Sequence, residues 1–149
     1  MYKRQGRKDK RGKVIIQTYN PGHAIINDVV HNNYLSMYTS QLLDRKNFNY
    51  PPFYRLIELT LKFKVIDVLN EGAKVVAGKL REQLGNRILG PEFPLVARVR
   101  NEYLKSIMVK VERETSITSA KKIINEVFVD FKSQPAFKQV KLHVDVDPL

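Results

Sequence analysis

Residues 50–149 predict an α+β fold with the element order β-α-β-β-α-β, and two kinds of apolar period carry that reading. Ile57, Leu59, Leu61 and Phe63 alternate with Leu56, Glu58, Thr60 and Lys62, the pattern of a strand buried on one side. The period then lengthens. Leu69, Ala73, Val76, Leu80 and Leu84 share one helix face, and Gly85-Asn86 supplies a stop. Two strands are expected next, one with Leu95, Ala97 and Val99 inward and one with Ile107, Val109 and Val111 inward, joined near Asn101-Glu102. Thr115 or Ser116 can cap a second helix striped by Ile117, Ala120, Ile124, Val127 and Phe131, and Pro135 ends it. Val140, Leu142, Val144 and Val146 form the last strand. Right-handed crossovers lay both helices on one face, giving a ferredoxin-like split β-α-β sandwich whose other sheet face stays open.

Upstream of this domain lie a short apolar strand, Val14-Ile15-Ile16, and a helix starting at Asn20-Pro21. Ile26, Val30, Tyr34, Tyr38 and Leu42 recur every four residues along that helix, so one face of it calls for burial. A single strand and helix are too little for a core of their own. The connection onward is Tyr50-Pro51-Pro52-Phe53. Two prolines fix φ twice and remove two donors, which makes a stiff hinge. Tyr50 and Phe53 suit packing of that hinge against a neighbouring lobe, with Phe53 as a buried wedge, and stacking on unpaired bases is the competing use.

Composition narrows the function. The chain has 149 residues, a formal net charge of +11 and no cysteine, so it has no disulfide framework, no thiolate zinc site and no cysteine nucleophile. No apolar run approaches a membrane span, and a cytoplasmic protein without a membrane partner is expected. The charge is uneven. Residues 1–13 hold seven basic side chains (Lys3, Arg4, Arg7, Lys8, Lys10, Arg11, Lys13) against Asp9 alone, and residues 51–149 hold 17 Lys and Arg against 12 Asp and Glu. Such a balance favours a polyanion such as DNA or RNA over a merely solvated surface.

The chemistry-bearing residues point the same way. With no G-x-x-x-x-G-K-[ST] loop, the chain alone is not a P-loop ATPase, and no catalytic residue is assigned. Lys62, Arg98, Arg100, Lys110, Lys141 and His143 are expected outward on the open sheet face, where they are placed either to contact phosphates or to form an ordinary polar surface. Glu58, Glu112 and Asp145 break the positive field. That face lacks the stacking aromatics of an RNA-recognition motif, so backbone contact without base reading is expected. His23, His31 and His143 have no metal-binding spacing, and His23 suits a helix cap. Asp145 and Asp147 suit fixing the chain end better than holding a cation.

Four stretches taken together resemble one family. They are Gly12-Lys13-Val14-Ile15-Ile16-Gln17-Thr18-Tyr19-Asn20-Pro21, the Arg45 to Tyr50-Pro51-Pro52-Phe53 segment, Leu89-Gly90-Pro91, and Val144-Asp145-Val146-Asp147-Pro148. In this order they resemble the C-terminal region of the primosomal protein N′ replication-restart DNA helicases. The resemblance implies that residues 1–49 are the end of a second helicase lobe and residues 50–149 a domain like ribosomal small-subunit protein S10. It implies a parent that is an ATP-dependent 3′-to-5′ helicase using ATP, Mg and zinc held upstream, with fork and single-stranded DNA, single-stranded DNA-binding protein and other primosome proteins as partners. It also implies a nucleotide contact for Arg7, although Met1–Gln5 depart from the family pattern. Lys8, Lys10, Arg11 and Lys13 then join the sheet-face cations as DNA contacts. Two other classes compete: a free-standing S10-like RNA-binding protein, and a ferredoxin-like regulatory domain with a small ligand.

Overall fold

A computed structural model describes residues 14–148. It divides into two compact units, residues 1–42 and residues 43–149. Arg7, Lys8, Lys10, Arg11 and Lys13 lie outside the described residues.

The expected strand at Val14–Ile16 does not form, and the single expected helix is two: α1, Ala24–Val30, and α2, Tyr34–Asn47, whose residues from Leu43 onward belong to the second unit. The break is His31-Asn32-Asn33, with Asn32 at φ 55°. Asparagine tolerates that left-handed state, so the four-residue apolar period runs across a turn it cannot reveal. The helix also starts later than Asn20-Pro21. His23 is the N-cap, its Nδ1 accepting from the Ile25 amide at 3.2 Å. His31 closes α1 through a 2.8 Å bond between Nδ1 and the Asn27 carbonyl.

The second unit is the ferredoxin-like sandwich. Its elements are β1 (Tyr54–Phe63), α3 (Ile66–Leu84), β2 (Ile88–Glu92), a two-residue β3 (Arg98–Val99), β4 (Glu102–Glu112), α4 (Ile117–Ser133) and β5 (Lys141–Val146). The antiparallel sheet runs β2-β4-β1-β5, with β3 paired to the start of β4. The helix stripes pack as the periodicity predicts. Leu69, Ala73, Val76, Leu80 and Leu84 of α3, with Ala120, Ile124, Val127 and Phe131 of α4, close over Ile57, Leu59, Leu61, Ile107, Val109 and Val111 of the sheet. Phe131 is fully buried and stacks on Phe137 at 4.8 Å between ring centroids. Gly72 makes this possible, because a Cβ there would stand 3.1 Å from the Phe131 ring.

The second strand lies elsewhere than expected. Leu95 is fully exposed and Val99 about half so, while the edge of the sheet is β2, seven residues earlier. Leu89-Gly90-Pro91 has the composition of a turn, yet an edge strand tolerates a residue without an N–H. Gly90, at φ 89°, lies so close to β4 that a Cβ would meet the Ser106 carbonyl at 2.7 Å. At the opposite edge, Asp147 ends β5: its amide donates to the Leu56 carbonyl at 2.7 Å, and its Oδ1 accepts from the Leu56 amide at 3.1 Å. That is the chain-fixing role the sequence suggests for this residue.

Candidate nucleic-acid interface

The antiparallel register gathers cations at one end of the sheet. β1 finishes where β4 begins, with Lys62 opposite Leu104 and Phe63 opposite Tyr103. β5 starts beside the same residues, placing Lys141 opposite Lys62. β3 adds Arg98 opposite Tyr103 and Val99 opposite Glu102. The β3–β4 turn is Arg100-Asn101, at φ 49° and 65°, the left-handed pair that a tight primed hairpin turn requires. For an arginine that conformation costs on the order of 1 kcal/mol, and it sets Arg100 exposed at the tip. Lys62, Lys64, Arg98, Arg100 and Lys141 therefore cluster with one carboxylate, Glu102.

Glu102 is held to Lys141 at 2.8 Å. The hydrogen bond from Lys141 depresses its carboxyl pKa, against the opposing effect of burial, and the charges of Lys141, Lys64 and Lys62 add to the depression. Arg98 is not on the open face. Its register puts it on the side of Tyr103, whose ring it covers at 4.8 Å, and it donates to Asn101 Oδ1. Lys64 was missed by sequence reasoning because it follows the last alternating residue of β1; its only signal is its place beside Lys62.

Lys110 belongs to a different environment. Strand alternation places it correctly on the open face, but it is only 8% exposed. Its Nζ donates to the Phe48 carbonyl at 2.6 Å and lies 4.0 Å from the centroid of the Tyr50 ring. Burial pushes its pKa down. The segment leading into the prolines thus folds over this half of the sheet, and Lys110 holds it there, out of reach of a phosphate. Tyr50 also lines a cleft of about 380 Å3 with Glu58, Met108 and Phe93. The open face accordingly carries a ring after all, supplied by the connector rather than by a central strand.

The proline segment is a compact turn. The Tyr50 amide donates to the Arg45 carbonyl at 2.7 Å, and Arg45 Nη1 donates to the Pro51 carbonyl at 3.1 Å. Phe53 is half-buried rather than a core wedge, with Lys46 Nζ 6.0 Å from its ring. His143 lies opposite Thr60 on the open face. Among the described residues no three His, Cys, Asp or Glu side chains come together as a metal set. Without cysteine or a phosphate loop, this chain's residues do not fit zinc held by thiolates or an ATP triphosphate.

A ferredoxin-like domain with a basic sheet end, entered through a doubly prolyl turn, is the class that fold and site define. The family model described as primosomal protein N C-terminal domain matches residues 46–149, and the chain belongs to that family. Similarity extends further upstream. The replication restart protein PriA of Bacillus subtilis (strain 168) is 29% identical over 147 residues, covering 97% of this chain and 18% of that protein. The PriA of Treponema pallidum (strain Nichols) is 30% identical, covering 98% of this chain and 22% of that protein. The Thermotoga maritima PriA is 36% identical over 68% of this chain and 14% of its own length. The chain thus spans about a fifth of the length of these relatives. Among the described residues no helix is long and apolar enough to cross a membrane.

Proposed function

We propose that this chain is the DNA-contacting C-terminal region of a replication restart helicase acting in the cytoplasm. The observation that carries the reading is the cationic sheet end, Lys62, Lys64, Arg98, Arg100 and Lys141, in a domain of the primosomal protein N family. These side chains neutralise phosphates of fork or single-stranded DNA without reading bases. Lys8, Lys10, Arg11 and Lys13 add sequence-independent attraction. ATP, Mg and zinc belong on this reading to the rest of the helicase, and Arg7 of this chain is proposed only as a contact to a nucleotide held there. Single-stranded DNA-binding protein and other primosome components are its partners.

The test is anisotropy of a labelled fork DNA with the full chain. Lys62→Ala combined with Arg100→Ala should weaken binding at least about fivefold, since each lost phosphate contact carries a share of the electrostatic free energy. Lys74→Ala with Lys121→Ala, on the exposed sides of α3 and α4, should stay within about twofold. Equal losses from both pairs would place the contact elsewhere.

A further inference from the structure

The end of β1 opposite the cationic cluster carries a second, differently built feature. β5 stops pairing with β1 at Ile57, and Asp147 takes the Leu56 backbone, so Tyr54 and Arg55 flank an open groove of about 440 Å3. Its lining includes Pro51, Pro52 and Tyr54, two rigid pyrrolidine rings and one aromatic ring. Arg55 and Arg113 also line it, both exposed, and neither belongs to an ion pair among the described residues. The one side-chain contact seen for them is from Arg113 Nη1 to the Pro52 carbonyl, at 3.5 Å, which leaves most of the guanidinium donors free. Asp147, whose Oδ1 is taken by the Leu56 amide, and Pro148 complete the lining.

We propose that this groove binds one nucleotide of single-stranded DNA, an inference that rests on the DNA reading above and adds a site to it. Arginine forks suit a phosphate bidentately, and the Tyr54 ring beside two prolines suits a base face. The volume is that of a small-molecule pocket and admits a base only when it is unpaired. The eight residues from Arg55 to Lys62 put the groove about 23 Å from the cationic end. The two sites are therefore separable by mutation.

The probes are a labelled twenty-nucleotide oligothymidylate and a blunt twenty-base-pair duplex, each titrated with the full chain. Arg55→Ala with Arg113→Ala should weaken the single strand about five- to tenfold and leave the duplex within twofold. Arg55→Lys with Arg113→Lys keeps the charge but loses the fork, and should recover less than half of that loss. Thermal melting checks that both variants fold, as expected for exposed side chains. Equal loss on both probes, full recovery by lysine, or no loss at all overturns the groove. Lys62→Ala with Arg100→Ala is the separating control: if it weakens both probes while the arginine pair weakens neither, the groove falls and the DNA reading stands. If no variant affects either probe, both fall. An oligoglutamate peptide that binds only through Arg55 and Arg113, with DNA unaffected, would assign the groove to an acidic protein partner and refute the nucleotide.

Discussion

Replacing Lys110 separates a clamp from a phosphate contact, because the two roles predict opposite readouts. In Lys110→Ala the change in stability has four parts. The charged hydrogen bond to the Phe48 carbonyl is of a kind that contributes about 1.5–3 kcal/mol. The ammonium over the Tyr50 ring adds about 0.5–2 kcal/mol. Desolvation of the amine, visible in its lowered pKa, opposes both and is relieved by the mutation. With the lost packing of the stem, the expected net cost is about 2 kcal/mol, or about 5–10 °C in melting temperature for a unit of this size. Lys110→Met keeps the stem and should cost about half as much. Melting followed by circular dichroism reads the first quantity, and fork-DNA anisotropy the second. A clamp predicts a lower midpoint with affinity within about twofold of the parent. An unchanged midpoint with affinity reduced fivefold or more would return Lys110 to the phosphate contacts and refute the clamp.

Other consequences follow from the same geometry. Burial lowers the folded pKa of Lys110, so the unfolded chain retains a proton that the folded chain has released; this group's contribution to stability rises with pH in the window below 10.5, the ordinary lysine value. Relative to Lys110→Met, the parent should gain stability on that alkaline limb, and parallel pH profiles would contradict the burial. Removing the one carboxylate of the cationic end, Glu102→Gln, frees Lys141 and should tighten fork DNA about two- to fivefold; unchanged or weaker binding would exclude that end from the contact. In Lys141→Met the Glu102 carboxyl, followed by NMR, should titrate closer to 4.5, since its main depressing partner is gone. Gly90→Ala drives a Cβ into the Ser106 carbonyl at a positive φ and should cost about 2 kcal/mol or more in chemical denaturation. Phe53→Ala, at a half-buried ring, should cost about 1–2 kcal/mol rather than the 3 or more of a core wedge.

The sandwich was legible where side-chain period and burial coincide. The α3 and α4 stripes and the alternation of β1 and β4 name the core almost residue by residue, because each element buries a single face. Reading failed where backbone contacts decide. β2 hides in Leu89-Gly90-Pro91, whose glycine is needed for close approach to β4 rather than for a turn. The break at His31–Asn33 leaves the apolar spacing intact. At the site, alternation along β1, β4 and β5 placed Lys62, Lys110 and Lys141 on the open face. It gave no information on what covers that face, so Lys110 looked free although Phe48 and Tyr50, some sixty residues earlier, close over it. Arg98 was misplaced because the strand assigned to Leu95–Val99 is a two-residue ribbon. Arg55 and Arg113 carried no local signal, since the groove between them is made by a turn, a strand start and the end of β5.

If the cationic end neutralises DNA phosphates, affinity must fall with salt through those cations. The full chain is titrated with duplex DNA at several salt concentrations, and log K is plotted against log salt concentration. Each lost phosphate contact removes about 0.9 from the slope, so Lys62→Ala with Arg100→Ala should flatten it by about 1.8. A slope identical to the parent's, with only the intercept changed or nothing changed, would show that Lys62 and Arg100 do not meet phosphates.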